Sequence, residues 1–127
     1  MRLLLDTTFL VEVIRGQAAA RKVLAGAVSF GHQLGTSALN LAEIYSGIRD
    51  HEERVAQEFL PTLTCYPVSD SIAERGGRLR NAYARGGITL GLADAVIAAT
   101  ALEHGLALVT DNRKDFPMPE LSFYPLA

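Results

Sequence analysis

Several acidic side chains of this sequence stand where a carboxylate is expensive to keep. Asp6 ends the apolar run Leu3-Leu4-Leu5, and Glu43 is flanked by Leu41, Ala42, Ile44 and Tyr45. Asp94 opens an apolar stretch, with Ala93 before it and Ala95, Val96 and Ile97 after it. Asp111 and Asp115 follow the run from Leu106 to Thr110. Carboxylates are rarely buried unless they are paired or bound to a cation. Gathered in one cleft, these acids would repel one another without a cation. No Cys or His pair lies beside them, so an all-oxygen set suits Mg²⁺, or Mn²⁺ in its place, rather than zinc. Such an ion polarises a phosphodiester, stabilises the leaving oxygen and helps generate hydroxide from water. Hydrolysis by metal-activated water is the reaction class this set serves best. Each acid also has an ordinary role open to it. Asp6, Asp111 and Asp115 can be turn residues, Asp94 can answer a helix dipole, and Glu43 can be a partly exposed helix residue.

The elements that must position these residues follow from pattern. Leu3 to Leu5 reads as a buried strand with Asp6 at its C-terminal end. Thr7 or Thr8 can cap a helix whose apolar face is Phe9, Leu10, Val13 and Ile14, with Gly16 as its stop. A second helix is predicted from about Ala18 to Leu24, and a strand from Gln33 to Thr36. Ser37 caps a helix that carries Glu43 in its middle. A helix over His51–Leu60 closes at Pro61. Leu63–Val68 reads as an edge strand, and Ser69 caps a helix weakened at Gly76 and Gly77, where close packing is possible. Leu92–His104 is the strongest helix, with Gly105 beyond its end. Leu106–Thr110 is a strand, and Ser122–Tyr124 a last edge strand. Alternating strands and helices imply an α/β domain with a mainly parallel sheet, and ligands of such sheets bind outside the carboxyl ends of the strands.

The 127 residues suit one domain over positions 1–127, with no repeat, linker or low-complexity stretch. With 49% hydrophobic and 20% charged residues, the chain is expected to be globular rather than disordered. A net charge of −2 gives no support for passive coating of nucleic acid, but allows an enzyme that meets phosphates through a carboxylate-bound ion. Apart from Lys22 and Lys114, all of the 12 basic residues are Arg, which suits bidentate phosphate contacts. The lone Cys65 can form neither an internal disulfide nor a thiolate zinc site, which fits a reducing compartment, the cytoplasm. Asp6 cuts the N-terminal apolar run too short for a signal peptide. The apolar segment Leu90–Val109 is broken by Asp94, Glu103 and His104, so no membrane span is expected.

Three stretches carry a resemblance: LLLDTTFLVEVIRG, TSALNLAEIYSGIR and GLADAVIAATALEHGLALVTDNRKDF. In that order, spanning nearly the whole chain, they resemble the PIN-domain family, and within it the VapC-type toxins of toxin–antitoxin pairs. The resemblance implies a three-layer α/β/α domain and a metal site formed by Asp6, Glu43 and Asp94. A fourth acid would come from TDNRKDF: Asp115, before Phe116, is at the position the family commonly keeps acidic, and Asp111 competes with it. Thr7 matches the hydroxyl residue that often follows the first Asp, and Asn112 a common polar position. The implied activity is endonucleolytic cutting of RNA by a homodimer, silenced by a VapB-type antitoxin that wraps the toxin and brings a basic side chain to the acids. Arg49, Arg80, Arg85 and Arg113 are the arginines to consider for RNA contact.

Other readings fit less well. A receiver domain needs a phospho-acceptor Asp after a central strand, and no middle strand ends in one. A haloacid-dehalogenase-type phosphatase needs a second Asp two residues after the first, where this chain has Thr8. A P-loop nucleotidase needs a Gly-rich, Lys-containing loop that is missing. A non-catalytic dimeric binding module is the remaining alternative, and it would have no need of the acid set.

Overall fold

A computed structural model describes residues 1–126. Its sheet has five strands, β1 (Arg2–Leu5), β2 (Gln33–Ser37), β3 (Thr64–Tyr66), β4 (Ala107–Val109) and β5 (Ser122–Phe123), in the order β3-β2-β1-β4-β5. All four pairings are parallel. The helices are α1 (Thr7–Ile14), α2 (Ala18–Ser29), α3 (Ala38–Gly47), α4 (Glu53–Phe59), α5 (Asp70–Arg85) and α6 (Leu92–His104).

The alternation of side chains along a strand divides the core in two. Leu3 and Leu5 of β1, with Ala107 and Val109 of β4, face one way, onto Phe9, Leu10, Ala27, Ile44 and Ala56. Leu4 and Leu108 face the other way, onto Ala95, Ile97, Ala98 and Phe116. Both faces are apolar because both are covered, as a parallel sheet requires. The result is the expected three layers.

Strand order sets the position of the site. The chain runs from β1 outward through β2 to β3, then crosses to the other side of β1 for β4 and β5. The order reverses between β1 and β4, the switch point at which sheets of this kind bind ligands in a crevice outside the carboxyl ends of their strands. Leu5 pairs with Val109, and the Asp6 N–H donates to the Val109 carbonyl at 3.0 Å. The residues that follow, Asp6 and Thr110, therefore meet at the mouth of that crevice.

Some elements differ from the sequence reading in extent. α2 runs on to Ser29, past Gly26, because Ala20 and Ala27 are buried along it and packing outweighs one unfavourable helix residue. The stretch read as one helix over His51–Leu60 is a 3-10 turn (Asp50–Glu52), then α4, then a 3-10 turn (Leu60–Thr62) that takes in Pro61. β3 is shorter than Leu63–Val68 and does lie on an edge, where Pro67 need donate no ladder bond. At the end of α6, Gly105 takes φ +63°, a left-handed conformation that closes the helix.

The two glycines of α5 behave differently. A Cβ on Gly76 would lie 2.8 Å from Val96 Cγ2 and 2.9 Å from Val96 Cα, whereas one on Gly77 would meet nothing within 4 Å. Gly76 is thus where α5 rests directly on α6. Gly76→Ala is expected to cost about 1–3 kcal/mol through overpacking. Gly77→Ala should add about 0.5–1 kcal/mol by removing a flexible residue from an open helix position. Urea melts of the two variants check the opposite signs.

Candidate active site

Asp6 stands at the N-cap position of α1, but its carboxylate makes no capping bond there. The ordinary turn-residue role is therefore not the one it fills. Its Oδ2 accepts the Thr110 hydroxyl at 2.8 Å, and its Oδ1 accepts the Asn40 amide at 3.4 Å. Asp6 is buried at 6% exposure, so two donors from two other elements hold a desolvated acid in place. Burial raises its pKa above the ordinary value. The Thr110 hydroxyl, the Thr7 backbone N–H and the Asn40 amide oppose that rise, and Glu43 adds to it.

Glu43 reaches the site from the second turn of α3. Its Oε1 accepts the Thr7 hydroxyl at 2.7 Å, and that hydroxyl in turn accepts the Asn40 amide at 2.9 Å. Ser37 caps α3 as expected, accepting the Asn40 backbone N–H at 3.1 Å. The capping hydroxyls foreseen on Thr7 and Thr8 are used otherwise. Thr7 serves Glu43, and Thr8 Oγ1 accepts the Asn112 side-chain amide at 3.3 Å.

Asp94 lies in the first turn of α6, whose N-cap is Gly91. A Cβ on Gly91 would lie 3.2 Å from Asp94 Oδ2, so the glycine leaves room for the carboxylate over the helix start. The Asp94 carboxyl is pushed up to about 6, first by burial and then by the negative charges of Asp115, Asp6 and Glu43. One acid feeling three others is the electrostatic signature of a shared cleft.

The two candidates for a fourth acid part company. Asp115 ends a short 3-10 turn (Arg113–Asp115), and Phe116 behind it is buried, so the chain is pinned there. It is Asp115 whose charge reaches Asp94. Asp111 instead lies against Glu12 of α1, whose carboxyl is raised by burial and then by Asp111. Asn112 ties this loop down, with its backbone N–H donating to Thr110 Oγ1 at 3.0 Å and its side chain to Thr8.

Among the described residues, no three His, Cys, Asp or Glu side chains come close enough to hold an ion by themselves. The donors are oxygens throughout, spread around an open crevice. That suits Mg²⁺, which keeps several of its waters and takes one or two carboxylates directly.

Residues 3–118 match the family model described as PIN domain. The chain belongs to the PIN-domain family. Ribonuclease VapC10 of Mycobacterium tuberculosis is 36% identical to this PIN domain over 125 residues, 98% of this chain and 93% of the relative. Ribonuclease VapC19 of the same organism is 34% identical over 119 residues, 93% of this chain and 95% of the relative. Among solved structures, a toxin–antitoxin complex from Klebsiella pneumoniae contains a chain similar to this PIN domain at TM-score 0.79 and 30% identity, with 98% of each chain covered.

Three polar residues of the site escaped the sequence reading. By pattern Thr110 is only the last residue of a strand, Asn40 carries no signal, and Ser37 is only a cap. All three are fully or nearly fully buried. The signal available for Thr110 was a hydroxyl at the carboxyl end of a strand beside β1. Asn40 gave none beyond being a polar residue between Leu39 and Leu41. The four arginines considered for RNA contact are all exposed. Two of them already brace the fold: Arg80 Nε donates to the Leu90 carbonyl at 3.2 Å, and Arg113 lies 4.9 Å from the Phe123 ring centre.

Proposed function

We propose that this PIN domain is an endoribonuclease that hydrolyses RNA phosphodiester bonds and acts as the toxin of a toxin–antitoxin pair. The observation that carries the reading is the placing of Asp6, held by Thr110 and Asn40, and Glu43, held by Thr7, at the reversal point of the sheet, with the charges of Asp6, Glu43 and Asp115 raising the Asp94 carboxyl. The relatives named ribonucleases and the Klebsiella toxin–antitoxin complex give the substrate class and the partner, a VapB-type antitoxin. We assign Asp6, Glu43, Asp94 and Asp115 to the metal site, with Mg²⁺ as the resident ion and Mn²⁺ as a substitute.

When bound, the ion supplies Lewis acidity at a phosphate oxygen and lowers the pKa of water. The chain's own part is positional. Thr110 and Asn40 fix the two oxygens of Asp6, and Thr7 fixes one oxygen of Glu43. Asp94 and Asp115 complete the negative crevice. Arg49 and Arg85 are the arginines we assign to the RNA backbone, since Arg80 and Arg113 are engaged elsewhere.

We further propose that residues 1–127 work as one domain, as a homodimer, in the cytoplasm. No helix of the described residues is long and apolar enough to cross a membrane. Light scattering of the purified protein tests the dimer.

The test of the activity is cleavage of a structured RNA pool by protein freed of any partner, in Mg²⁺, in Mn²⁺ and in EDTA. Metal-dependent cutting abolished by EDTA is the expected result. Folded protein that cuts none of many RNAs and binds no Mn²⁺ would favour the alternative of a non-catalytic binding module.

A further inference from the structure

We infer that Asn40 is the positioning residue that sets Asp6 and Glu43 relative to each other, through a buried chain of hydrogen bonds in which its side-chain amide can face only one way. The inference rests on the reading of Asp6 and Glu43 as carboxylates of the hydrolytic site.

The amide of Asn40 is fully buried and fully used. Its Oδ1 accepts the Ser37 hydroxyl at 2.6 Å and the Ser37 backbone N–H at 3.2 Å. The backbone N–H can only donate and an amide nitrogen cannot accept, so this donor fixes which end of the amide is oxygen. The nitrogen is thereby turned toward the crevice. Its two hydrogens go to Thr7 Oγ1 at 2.9 Å and to Asp6 Oδ1 at 3.4 Å.

The consequence passes to Glu43. A threonine hydroxyl has one proton to give and can accept as well. With the Asn40 N–H directed onto its oxygen, the Thr7 hydroxyl has its proton left for Glu43 Oε1, at 2.7 Å. One buried amide therefore orients Asp6 directly and Glu43 through Thr7. The order of bonds is Ser37 to Asn40, Asn40 to Thr7 and Asp6, Thr7 to Glu43. Groups that hold the carboxylates of a metal site are typically worth 10–100-fold in metal affinity or activity.

The test compares Asn40→Ala, Asn40→Asp, Thr7→Val and Thr7→Ser with the unchanged protein. The readouts are Mn²⁺ affinity by electron paramagnetic resonance, kcat and KM for RNA cleavage, and melting temperature. Asn40→Asp keeps the shape of the side chain and an oxygen for Ser37, but replaces the two N–H donors. If the donors matter, Asn40→Ala and Asn40→Asp both lose about 10–100-fold in Mn²⁺ affinity and kcat, with KM for RNA little changed. Thr7→Val then shares the loss and Thr7→Ser largely restores function. If Asn40 merely fills space, Asn40→Asp returns Mn²⁺ affinity and kcat to near the unchanged values, and the inference is overturned. Should the Asn40 variants fail to fold, the Thr7 pair decides: equal Mn²⁺ affinity in Thr7→Val and Thr7→Ser overturns the relay. Loss of Mn²⁺ affinity in a protein that cuts no RNA would leave the relay standing and remove the ribonuclease reading alone.

Discussion

Asp94→Asn is expected to abolish RNA cleavage and, in metal-free buffer at neutral pH, to melt higher than the unchanged protein. The loss of activity should exceed the 10–100-fold typical of groups behind a metal ligand, so at least about 100-fold is expected. The gain in stability follows from the raised carboxyl. An ordinary Asp titrates near 3.8, and Asp94 near about 6 when folded. Between those values the folded state holds the proton more tightly than the unfolded chain does, so stability falls as pH rises through that window. At neutral pH the ionised carboxylate is a cost to the metal-free fold. Asp94 is partly buried, and solvent screening reduces that cost to about 1 kcal/mol. The amide removes it. Added Mg²⁺ should reverse the order, because an ion that binds only the folded state stabilises the protein that still binds it. Mn²⁺ affinity of the unchanged protein should fall as pH drops below about 6. Calorimetric melts with and without Mg²⁺, beside a cleavage assay, check both halves. A variant that melts lower in metal-free buffer would show that Asp94 serves the helix rather than the site.

Asp115→Asn should lower kcat about 10–100-fold, while Asp111→Asn should leave it within about threefold. The contrast comes from which acid each one faces. The charge of Asp115 bears on Asp94, and that of Asp111 on Glu12 at the rim. Single-turnover cleavage at saturating Mg²⁺ separates the two variants. Equal losses would mean that Asp111 swings inward when RNA is bound, and a larger loss in Asp111→Asn would reverse the assignment.

Much of this arrangement was legible in residue order, and the reason is physical. A parallel sheet buries both faces, so its strands read as short apolar runs, and Leu3–Leu5 and Leu106–Thr110 are such runs. Acids that stop those runs must lie at carboxyl ends, as Asp6 does after Leu5 and Asp111 after Thr110, whereas Asp115 stands four residues further on. Gly105 closes α6 as its position suggested, because a left-handed residue follows many helices and glycine adopts that conformation without strain. Less legible was anything set by a partner distant in sequence. Asn40 looks like an arbitrary polar residue on a helix until β1 brings Asp6 and Thr7 beside it. Thr110 looks like the end of a strand until its hydroxyl meets Asp6 across 104 positions. The different settings of Asp111 and Asp115 come from a 3-10 turn of three residues, too short to leave a periodic pattern.

The central strand of the sheet is the first to be synthesised, and one of its two neighbours is built only from residues 107–109. At ribosomal speeds of about 5–20 residues per second, roughly 5 to 20 seconds separate Asp6 from Thr110. Throughout that interval the emerging polypeptide carries Asp6, and later Glu43, without the strand that closes the crevice. It cannot hold Asp6 in its final setting, and it lacks Asp115 altogether. With this strand order the candidate site is among the last parts of the domain that can form.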